Sequence, residues 1–334
     1  MKKPRVQDIA AIAGVSAATV TRVLRGSGYA SEEKKEQVLR AAQELGYDFT
    51  RQTEKNGVPQ VLIFSMYDEI EKNRLFVDVL EPICYEIQKL GWYCITQYVT
   101  EARYEEIHRL TEEAHSMNLK GIIFNCLDFP DDLSAYRKYF ASLSIPTIMI
   151  ESFPNIFGVN KIMINGKEAV FFSVNYLYKK GHRKIAFFAP NEGNEVEISR
   201  ADGFESAVTA MELEEAHYIQ VPEYTQECGM QAMEIYKEKY GGLPTAVICA
   251  DPIMVGVYRY LHRQNIRIPE EISLLGLNDS VASVMTPPLT SVAFPVDEIA
   301  NNVIQILTAE KCLAKTVRLS THLAERQSVA PPKG

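Results

Sequence analysis

Apolar residues recur along the chain in two rhythms, and the change from one to the other divides the sequence. Between residues 6 and 45 they return every three or four positions, which is the spacing of helices that bury one face. Two breaks, Gly14-Val15-Ser16 and Gly26-Ser27-Gly28, separate three such blocks. The pattern predicts three short helices, followed by a polar linker that ends near Pro59.

After Gln60 the rhythm changes to short apolar runs that alternate with amphipathic segments. The runs predict buried strands at 61–66, 121–126, 147–150, 184–189, 246–250 and 272–277. Strands that alternate with helices are typical of parallel sheets with helices on both faces. The strands are too many for one open sheet and the pattern restarts near Lys161, so the sequence predicts two doubly wound α/β subdomains.

The distribution of charge changes what the composition implies. Hydrophobic residues make up 46% of the 334 and charged residues 23%, which excludes a disordered, collagen-like or fibrous chain. The formal net charge of −8 at first disfavours a nucleic-acid partner. Residues 1–57, however, hold ten basic and seven acidic side chains, so this segment carries +3 and the remainder −11. The asymmetry indicates an anion-binding N-terminal module on an acidic body, with chance fluctuation as the alternative.

Several kinds of site and location are disfavoured by the sequence. The six cysteines form no CxxC pair and lack histidines at metal-ligand spacing, so free thiols are expected rather than disulfides or a metal site. There is no GxSxG, no P-loop and no GxGxxG after a strand, and no catalytic residue or cofactor is predicted. Since neither a signal peptide nor a run of ~18 apolar residues occurs, we expect a cytoplasmic protein without membrane contact.

The segment from residue 6 to residue 24 has the layout of a helix-turn-helix. Gly14 stands where a tight turn needs a residue that tolerates positive φ, and Ser16 is suited to cap the second helix. An ordinary helical hairpin is the alternative. The exposed face of the second helix is predicted to carry small, hydroxyl-bearing or basic groups that suit a DNA groove, namely Ser16, Ala17, Ala18, Thr19, Thr21 and Arg22.

Short motifs follow one another in a characteristic order along the whole chain. They are the block 8–24, Ser31-Glu32-Glu33, Glu44-Leu45-Gly46-Tyr47, Gly181-His182-Arg183-Lys184, Arg200-Ala201-Asp202-Gly203-Phe204, Ile268-Pro269-Glu270-Glu271, Gly276-Leu277-Asn278-Asp279, Pro287-Pro288-Leu289-Thr290 and Leu323-Ala324-Glu325-Arg326. Together they resemble the lactose-repressor/galactose-repressor (LacI/GalR) family of bacterial transcription regulators.

That resemblance implies an all-α helix-turn-helix headpiece at 1–46, a hinge or linker at 47–59, and an α/β body at 60–334. The body is expected to be like a periplasmic binding protein, with an N-subdomain of about 60–160 plus 291–322 and a C-subdomain of about 161–290 plus 323–334. The resemblance implies a homodimeric repressor that binds pseudo-palindromic operator DNA. A small-molecule effector controls it, and a sugar-utilisation operon is the expected target.

By the same resemblance, Ala17, Ala18 and Arg22 occupy base-reading positions of the recognition helix, and Arg5 and Tyr29 join the DNA contacts. Two alanines offer only apolar contact to bases, so Arg22 is predicted to carry most of the hydrogen-bonded specificity. A phosphate contact by Arg22 is the alternative.

The hinge departs from the family pattern, which usually begins Tyr-x-Pro-Asn and continues to a leucine that wedges into the minor groove. Here Tyr47-Asp48 is followed by Phe49-Thr50, and Asn56 falls at or near the leucine position. The sequence therefore predicts no DNA kink of the usual family kind. Arg5 and Arg25 are predicted to compensate through phosphate attraction, unless they are only solvated surface charges.

Ligands of open α/β sheets bind at the carboxyl ends of the strands, and polar or aromatic residues follow several predicted strands there. These candidate effector residues are Phe76, Asn125, Glu151, Arg200, Tyr224 and Asp279. The resemblance implies that Arg200 and Asp279 hold effector hydroxyls and that Glu151 contributes from the other subdomain. The alternatives are a structural Arg200–Asp279 ion pair, core packing for Phe76 and Tyr224, and a strand-end cap for Asn125.

The effector is predicted to be a sugar, because carboxylate and guanidinium groups each bind two adjacent hydroxyls in one plane. Phe76 or Tyr224 would supply the apolar face that a pyranose needs. A purine, a phosphorylated metabolite or a protein corepressor remains the alternative, and the acidic Glu151 and Asp279 weigh against a phosphorylated one.

Overall fold

The structure is a computed structural model that describes residues 6–24, 32–45, 57–66, 75–99, 103–115, 118–126, 129, 132–151, 156–190, 195–310 and 314–333. Arg5, Arg25, Tyr29 and the predicted hinge up to Asn56 lie outside these residues. The side chains of Ala18, Arg22 and Phe76 lie outside the described part as well.

The N-terminal region forms the three predicted helices, α1 (Val6–Ala13), α2 (Ala17–Leu24) and α3 (Glu32–Glu44). Gly14 adopts a φ of +64° between the first two, and the Thr19 amide donates a hydrogen bond to Ser16 Oγ at 3.1 Å. The predicted turn and N-cap are thereby confirmed. One small apolar core holds the three helices together, and its buried members are Ile9, Val20, Val38, Ala41 and Ala42.

The body alternates strands and helices as the apolar pattern predicts. In chain order the elements are β1 (Gln60–Met66), α4 (Leu75–Lys89), β2 (Tyr93–Val99), α5 (Tyr104–His115), β3 (Leu119–Asn125), α6 (Ser134–Ser142), β4 (Thr147–Ile150), β5 (Asn160–Ile164), α7 (Gly166–Lys179), β6 (Ile185–Pro190), α8 (Glu195–Ala210), β7 (Ala216–Val221), α9 (Gln226–Tyr240), β8 (Ala246–Ala250), α10 (Asp251–Arg263), β9 (Ser273–Asn278), β10 (Thr290–Ala293), α11 (Val296–Leu307), β11 (Thr316–Leu319) and β12 (His322–Ala324). None of the helices in the described ranges combines the length and apolar content needed to span a bilayer.

The first sheet has six strands in the order β11-β5-β4-β3-β1-β2, and all of its pairings are parallel. Alternate residues of β1 point to opposite faces, so each face builds a separate core. On one face, Val61 and Ile63 belong to a core with α4 and α11. On the other face, Leu62 and Phe64 belong to a core with α5 and α6.

The second sheet also has six strands, in the order β12-β10-β9-β8-β6-β7. Its pairings are parallel except that of β12 with β10, which is antiparallel. Ala186 and Phe188 on one face of β6 pack in a core with α9 and α10. Ile185 and Phe187 on the other face pack in a core with α7 and α8. Both sheets are therefore doubly wound, as predicted.

The chain passes between the two sheets three times. It leaves the first after β5, returns after β10, and crosses again between β11 and β12. The expected subdomain limits near 160 and 290 differ from this by a few residues, since β5 still pairs with β4 and β10 pairs with β9. Buried strands have the same apolar pattern in both sheets. The sequence pattern therefore does not show at which strand the chain passes from one sheet to the other.

A close helix contact sets the position of α8 beside the crossing. Gly203 lies so near Lys167 on α7 that an added Cβ would overlap the backbone carbonyl of Lys167. The lack of a side chain at Gly203 therefore lets the two helices pack backbone to backbone. This contact holds the first two turns of α8, with Arg200, over the carboxyl ends of the strands.

Candidate functional site

A cleft lies between the carboxyl ends of the two sheets. The first sheet contributes Glu151 after β4 and Ile164 at the end of β5. The second sheet and its helices contribute Arg200 on α8 and Asn278 at the end of β9. Phe294 lines the cleft where the chain crosses back toward the first sheet. The cleft thus has the position that ligands take in open α/β folds.

Arg200 is the centre of the polar network on the second-sheet side. Its side chain is buried, and its Nη1 donates to Tyr224 Oη at 2.7 Å. Its Nη2 donates to Asn278 Oδ1 at 3.2 Å, and Glu197 Oε1 lies 3.6 Å from Nη1. Tyr224 in turn donates a short hydrogen bond to Glu197. Arg200 is therefore held from three directions.

The charges of this network compensate one another. Burial opposes the positive charge of Arg200, but the hydrogen bond to Tyr224 and the attraction of Glu197 and Glu151 outweigh it and raise the pKa of the guanidinium. Burial also raises the pKa of Tyr224 well above its usual value. The phenol therefore stays neutral and donates a hydrogen bond to Glu197. The network presents a fixed cation whose charge is balanced behind it.

Glu151 faces the cleft from the first-sheet side. It has a φ of +47°, and its Oε1 accepts a hydrogen bond from the Ile164 amide at 2.5 Å. Burial raises the pKa of Glu151 to about 7, and the Ile164 amide and the charge of Arg200 limit the rise. This carboxyl group therefore titrates near neutral pH.

Asp279 does not pair with Arg200, so the alternative of a structural ion pair between these two residues is wrong. Asp279 instead accepts two hydrogen bonds from Arg326, whose Nη1 lies 2.5 Å from Oδ1 and whose Nη2 lies 3.0 Å from Oδ2. Asp279 lines a second cavity next to the cleft, and Asn278 and Phe294 line both. Asp279 pairs with Arg326 and not with Arg200 because of the backbone geometry of this turn, in which Asn278 and Asp279 have φ values of +99° and +65°.

Asp251 holds this two-residue turn from below, a role that the sequence reasoning missed. Its Oδ2 accepts from the Ser280 amide at 2.6 Å, the Ser280 hydroxyl at 2.9 Å and the Val281 amide at 3.0 Å. Burial raises the pKa of Asp251 to about 6, against the effect of these three donors. The sequence feature that could have indicated this role is the position of Asp251, an acidic residue directly after the apolar strand β8.

Two other predicted effector residues lie behind the cleft surface. Asn125 is fully buried at the end of β3, where its Nδ2 donates to Ser65 Oγ at 3.4 Å. Tyr224 supports Arg200 from behind and packs against the cores of the second sheet. Neither is among the described residues that line the cleft. The cleft residues Asn278, Ser199 and Phe294 were missed, because their positions depend on tertiary packing.

The predicted DNA-contact residues around the start of α2 whose side chains are described are all exposed or half-buried. Ser16 and Ala17 are exposed, and Thr19 and Thr21 are half-buried. Ser16 Oγ and Thr19 Oγ1 lie 2.9 Å apart, and Thr21 Oγ1 donates to the Ala17 carbonyl at 2.9 Å. These hydroxyl groups therefore stabilise the start of α2 as well as facing outward.

Comparisons with known proteins agree with this architecture. Residues 5–48 match the family model "Bacterial regulatory proteins, lacI family", and residues 174–329 match "Periplasmic binding protein-like domain". The chain is 25% identical to the ribose operon repressor of Haemophilus influenzae and 27% identical to the transcriptional repressor PurR of Vibrio atlanticus, over 90% of each chain in both cases. The fold is similar to that of the lac repressor dimer bound to operator and an anti-inducer, with a TM-score of 0.66, 19% identity, and coverage of 98% of this chain and 100% of that one.

Proposed function

The chain belongs to the lacI family of bacterial regulatory proteins, and from this premise we propose that a small sugar controls its binding to operator DNA. It is a DNA-binding transcription regulator with a helix-turn-helix headpiece and a body like that of periplasmic binding proteins. In this proposal it is a homodimer without enzymatic activity that acts in the cytoplasm. It represses an operon for sugar utilisation.

The charge balance of the cleft is the observation that carries the sugar proposal. Arg200 is compensated by Glu197 behind it, and Glu151 lies on the other wall. A guanidinium has five N–H donors, so Arg200 retains donors for a ligand beyond those given to Tyr224 and Asn278. A neutral polyol, whose hydroxyls both donate and accept, matches this wall better than a phosphate does.

A purine is the second candidate effector, because the relatives include PurR repressors. Among the described cleft residues, Phe294 offers an aromatic ring on which a base could stack. The sugar is favoured because polar groups of both walls converge on the cleft. The similarity to a ribose operon repressor also supports it.

The domain limits and DNA contacts belong to the same proposal. The headpiece covers residues 1–46, and its second helix enters the major groove of each half-site. Ala17, Ala18 and Arg22 face the bases. Ser16, Thr19 and Thr21 lie beside the phosphates, with Arg5 and Tyr29 completing the contact from outside the described residues.

A thermal-shift screen tests the effector class. Full-length protein is melted with monosaccharides, disaccharides, sugar phosphates and purine bases. A ligand that binds the native state raises the melting temperature, and the rise grows with the logarithm of its concentration divided by its dissociation constant. We expect stabilisation by a neutral sugar. Stabilisation by a purine alone would exclude the sugar.

A second experiment tests the DNA contacts separately. Full-length protein is expected to retain a palindromic probe in a binding assay, and a variant lacking residues 1–57 is expected to lose it while keeping the sugar-dependent rise in melting temperature. Arg22→Ala is expected to weaken binding by ~1–3 kcal/mol and to relax preference at one base pair. Uniform weakening on all probes would make Arg22 a phosphate contact.

A further inference from the structure

The body holds the last residues of the linker by three hydrogen bonds. Asn118 Nδ2 donates to the Gly57 carbonyl at 2.6 Å, and the Tyr93 amide donates to the Pro59 carbonyl at 2.9 Å. The Gln60 amide donates to the Asn118 carbonyl at 3.2 Å, where β1 begins. Residues 57–60 are therefore fixed against the amino ends of β2 and β3.

The contact with Gly57 differs in kind from the other two. The bonds of Pro59 and Gln60 join backbone groups and continue the pairing of β1 with β2 and β3. Residues of many types could make them. The bond to Gly57 requires the side chain of Asn118, and it holds the linker three residues before β1. Asn118 therefore moves the first fixed point of the linker toward the headpiece.

The conformation of Asn118 restricts which residue can make this contact. Its φ is +54°, a value that asparagine, aspartate and glycine adopt more readily than other residues do. Aspartate has no side-chain N–H in its ionised form, and glycine has no side chain. Among these three residues, only asparagine combines this backbone conformation with a donor for the Gly57 carbonyl.

The burial of Asn118 shows that stability alone does not explain an asparagine here. The residue is 8% exposed, and its Oδ1 is a buried acceptor without a hydrogen-bond partner within the described residues. An unpaired buried acceptor lowers stability, whereas glycine would adopt the same φ without one. The side chain must therefore have another role, and its bond to the linker is the contact that provides one.

The position of this contact determines how far the headpiece can move from the body. Without the Asn118 side chain, the first described contact of the linker with the body would lie at Pro59 instead of Gly57. An extended residue spans up to about 3.3–3.6 Å, and a base pair rises by about 3.4 Å. Two more residues would thus let the end of the linker move by up to about 7 Å, or roughly two base pairs.

We propose that Asn118 is a positioning residue for operator recognition, because it fixes the exit of each linker at Gly57 and thereby restricts the spacing of the two half-sites. The proposal rests on the homodimer proposed above, in which each protomer places its second helix in one half-site. Asn118 acts through Gly57 and does not contact the DNA. It determines the operator by geometry rather than by reading bases.

A comparison of operator spacings tests this role in the full-length protein. Wild-type protein first selects a duplex from a pool with randomised inverted half-sites, and the selected duplex is the probe. It is then rebuilt with one or two base pairs added to or removed from its centre. For the wild type, we expect each change to weaken binding at least about tenfold, comparable with one mismatched base pair. Fluorescence anisotropy with labelled duplex measures the affinities.

Two substitutions of Asn118 should reduce this discrimination between spacings. Asn118→Gly keeps the backbone conformation and removes the side chain, and Asn118→Asp keeps the size of the side chain but removes the donor. In both variants, we expect the affinities for the probe and for the rebuilt duplexes to differ by less than about threefold. Asn265→Gly is the matched control, because Asn265 has a φ of +57° after α10 of the second sheet. It should discriminate as the wild type does.

The spacing readout separates positioning from a merely structural role. A structural defect would weaken binding equally on every duplex, and that result for Asn118→Gly and Asn118→Asp would overturn the proposal. Wild-type discrimination in both variants would overturn it as well. A wild-type protein that binds one isolated half-site as tightly as the full probe would instead overturn the homodimeric function on which the proposal rests.

Discussion

The two walls of the cleft differ in how firmly their polar groups are held. On the second-sheet wall, Arg200 contacts Glu197, Tyr224 and Asn278, and all of these side chains are buried or nearly so. On the first-sheet wall, the Glu151 carboxylate accepts one hydrogen bond within the part of the chain that the structure describes, from a backbone amide. One wall is organised before a ligand arrives, whereas the other changes its protonation near neutral pH.

This contrast indicates which wall determines the affinity for a ligand and which wall responds to pH. A preorganised network loses little entropy when a ligand binds, so it supplies most of the binding free energy. A carboxyl group that titrates between its two forms offers a donor in one and an acceptor in the other. We therefore expect substitutions on the second-sheet wall to have larger effects than those on the first.

The largest effect is expected from Arg200→Met. It leaves the Glu197 carboxylate buried without its cation, and breaking a buried pair in this way costs about 3–5 kcal/mol of unfolding free energy. Sugar binding should also be lost. Denaturant unfolding measures the first effect and calorimetry the second.

A double variant, Arg200→Met with Glu197→Gln, provides the control because it removes both charges. It should recover part of the stability but none of the binding. If Arg200→Met alone unfolds no more easily than Arg183→Met, whose guanidinium is at the surface, the second wall is not a buried network.

Removal of the turn support is expected to have the next largest effect. Asp251→Ala deletes the acceptor of three hydrogen bonds from residues 280 and 281, so the turn that carries Asn278 should loosen. An unfolding free energy lower by about 2–3 kcal/mol is expected, with weaker sugar binding. Normal affinity with lowered stability would separate this turn from the binding wall.

The first wall should respond to pH rather than to a simple loss of contacts. The folded-state pKa of Glu151, about 7, lies above its unfolded value, so ionisation lowers the stability of the free protein as pH rises from about 4.5 to 7. Glu151→Gln should therefore gain stability relative to wild type across that range. Thermal melting at a series of pH values measures the difference.

The same titration should appear in ligand binding with the opposite sign. An ionised Glu151 accepts hydrogen bonds from sugar hydroxyls, so wild-type affinity is expected to increase up to about tenfold between pH 6 and 8. Glu151→Gln should bind with a flat pH profile. An equal slope in both proteins would assign the titration to another group.

The smallest effect is expected at the edge of the second wall. Arg326→Gln removes the two-bonded partner of Asp279, a pair that is only partly buried, and about 1 kcal/mol of stability should be lost. Arg267→Gln is the matched control, because its pair with Glu271 is exposed and should contribute less. Chemical denaturation of both variants compares them directly.

Much of the fold follows from the apolar pattern, and the exceptions have physical reasons. The six predicted strands are central ones, whose residues are buried on both faces and therefore form continuous apolar runs. The edge strand β2 was not predicted, because most of its residues are half-buried or exposed and do not form a continuous apolar run. The strand β10 begins with the polar pair Thr290-Ser291 and therefore has no continuous apolar run, and β12 has only three residues.

The residues of the candidate site were predictable where a polar residue follows a predicted strand in the sequence. Arg200 and Glu151 were both expected at strand ends, and the structure places them on facing walls. The partner of Asp279 was not predictable, because two successive left-handed residues turn neighbouring side chains in opposite directions. Glu197 was missed for a similar reason, since only the folded helix sets it against Arg200 and Tyr224.

The turn at Asn278 and Asp279 has a consequence for genetic selection. Asn278 contacts Arg200 at the cleft, while Asp279 contacts Arg326 on the last segment of the chain. Alleles whose products no longer respond to the effector should therefore arise in codon 326 and its neighbours as well as in codons for the cleft. The proteins that such alleles encode should still bind the operator normally. An unbiased screen of colonies would recover the alleles without any knowledge of the ligand.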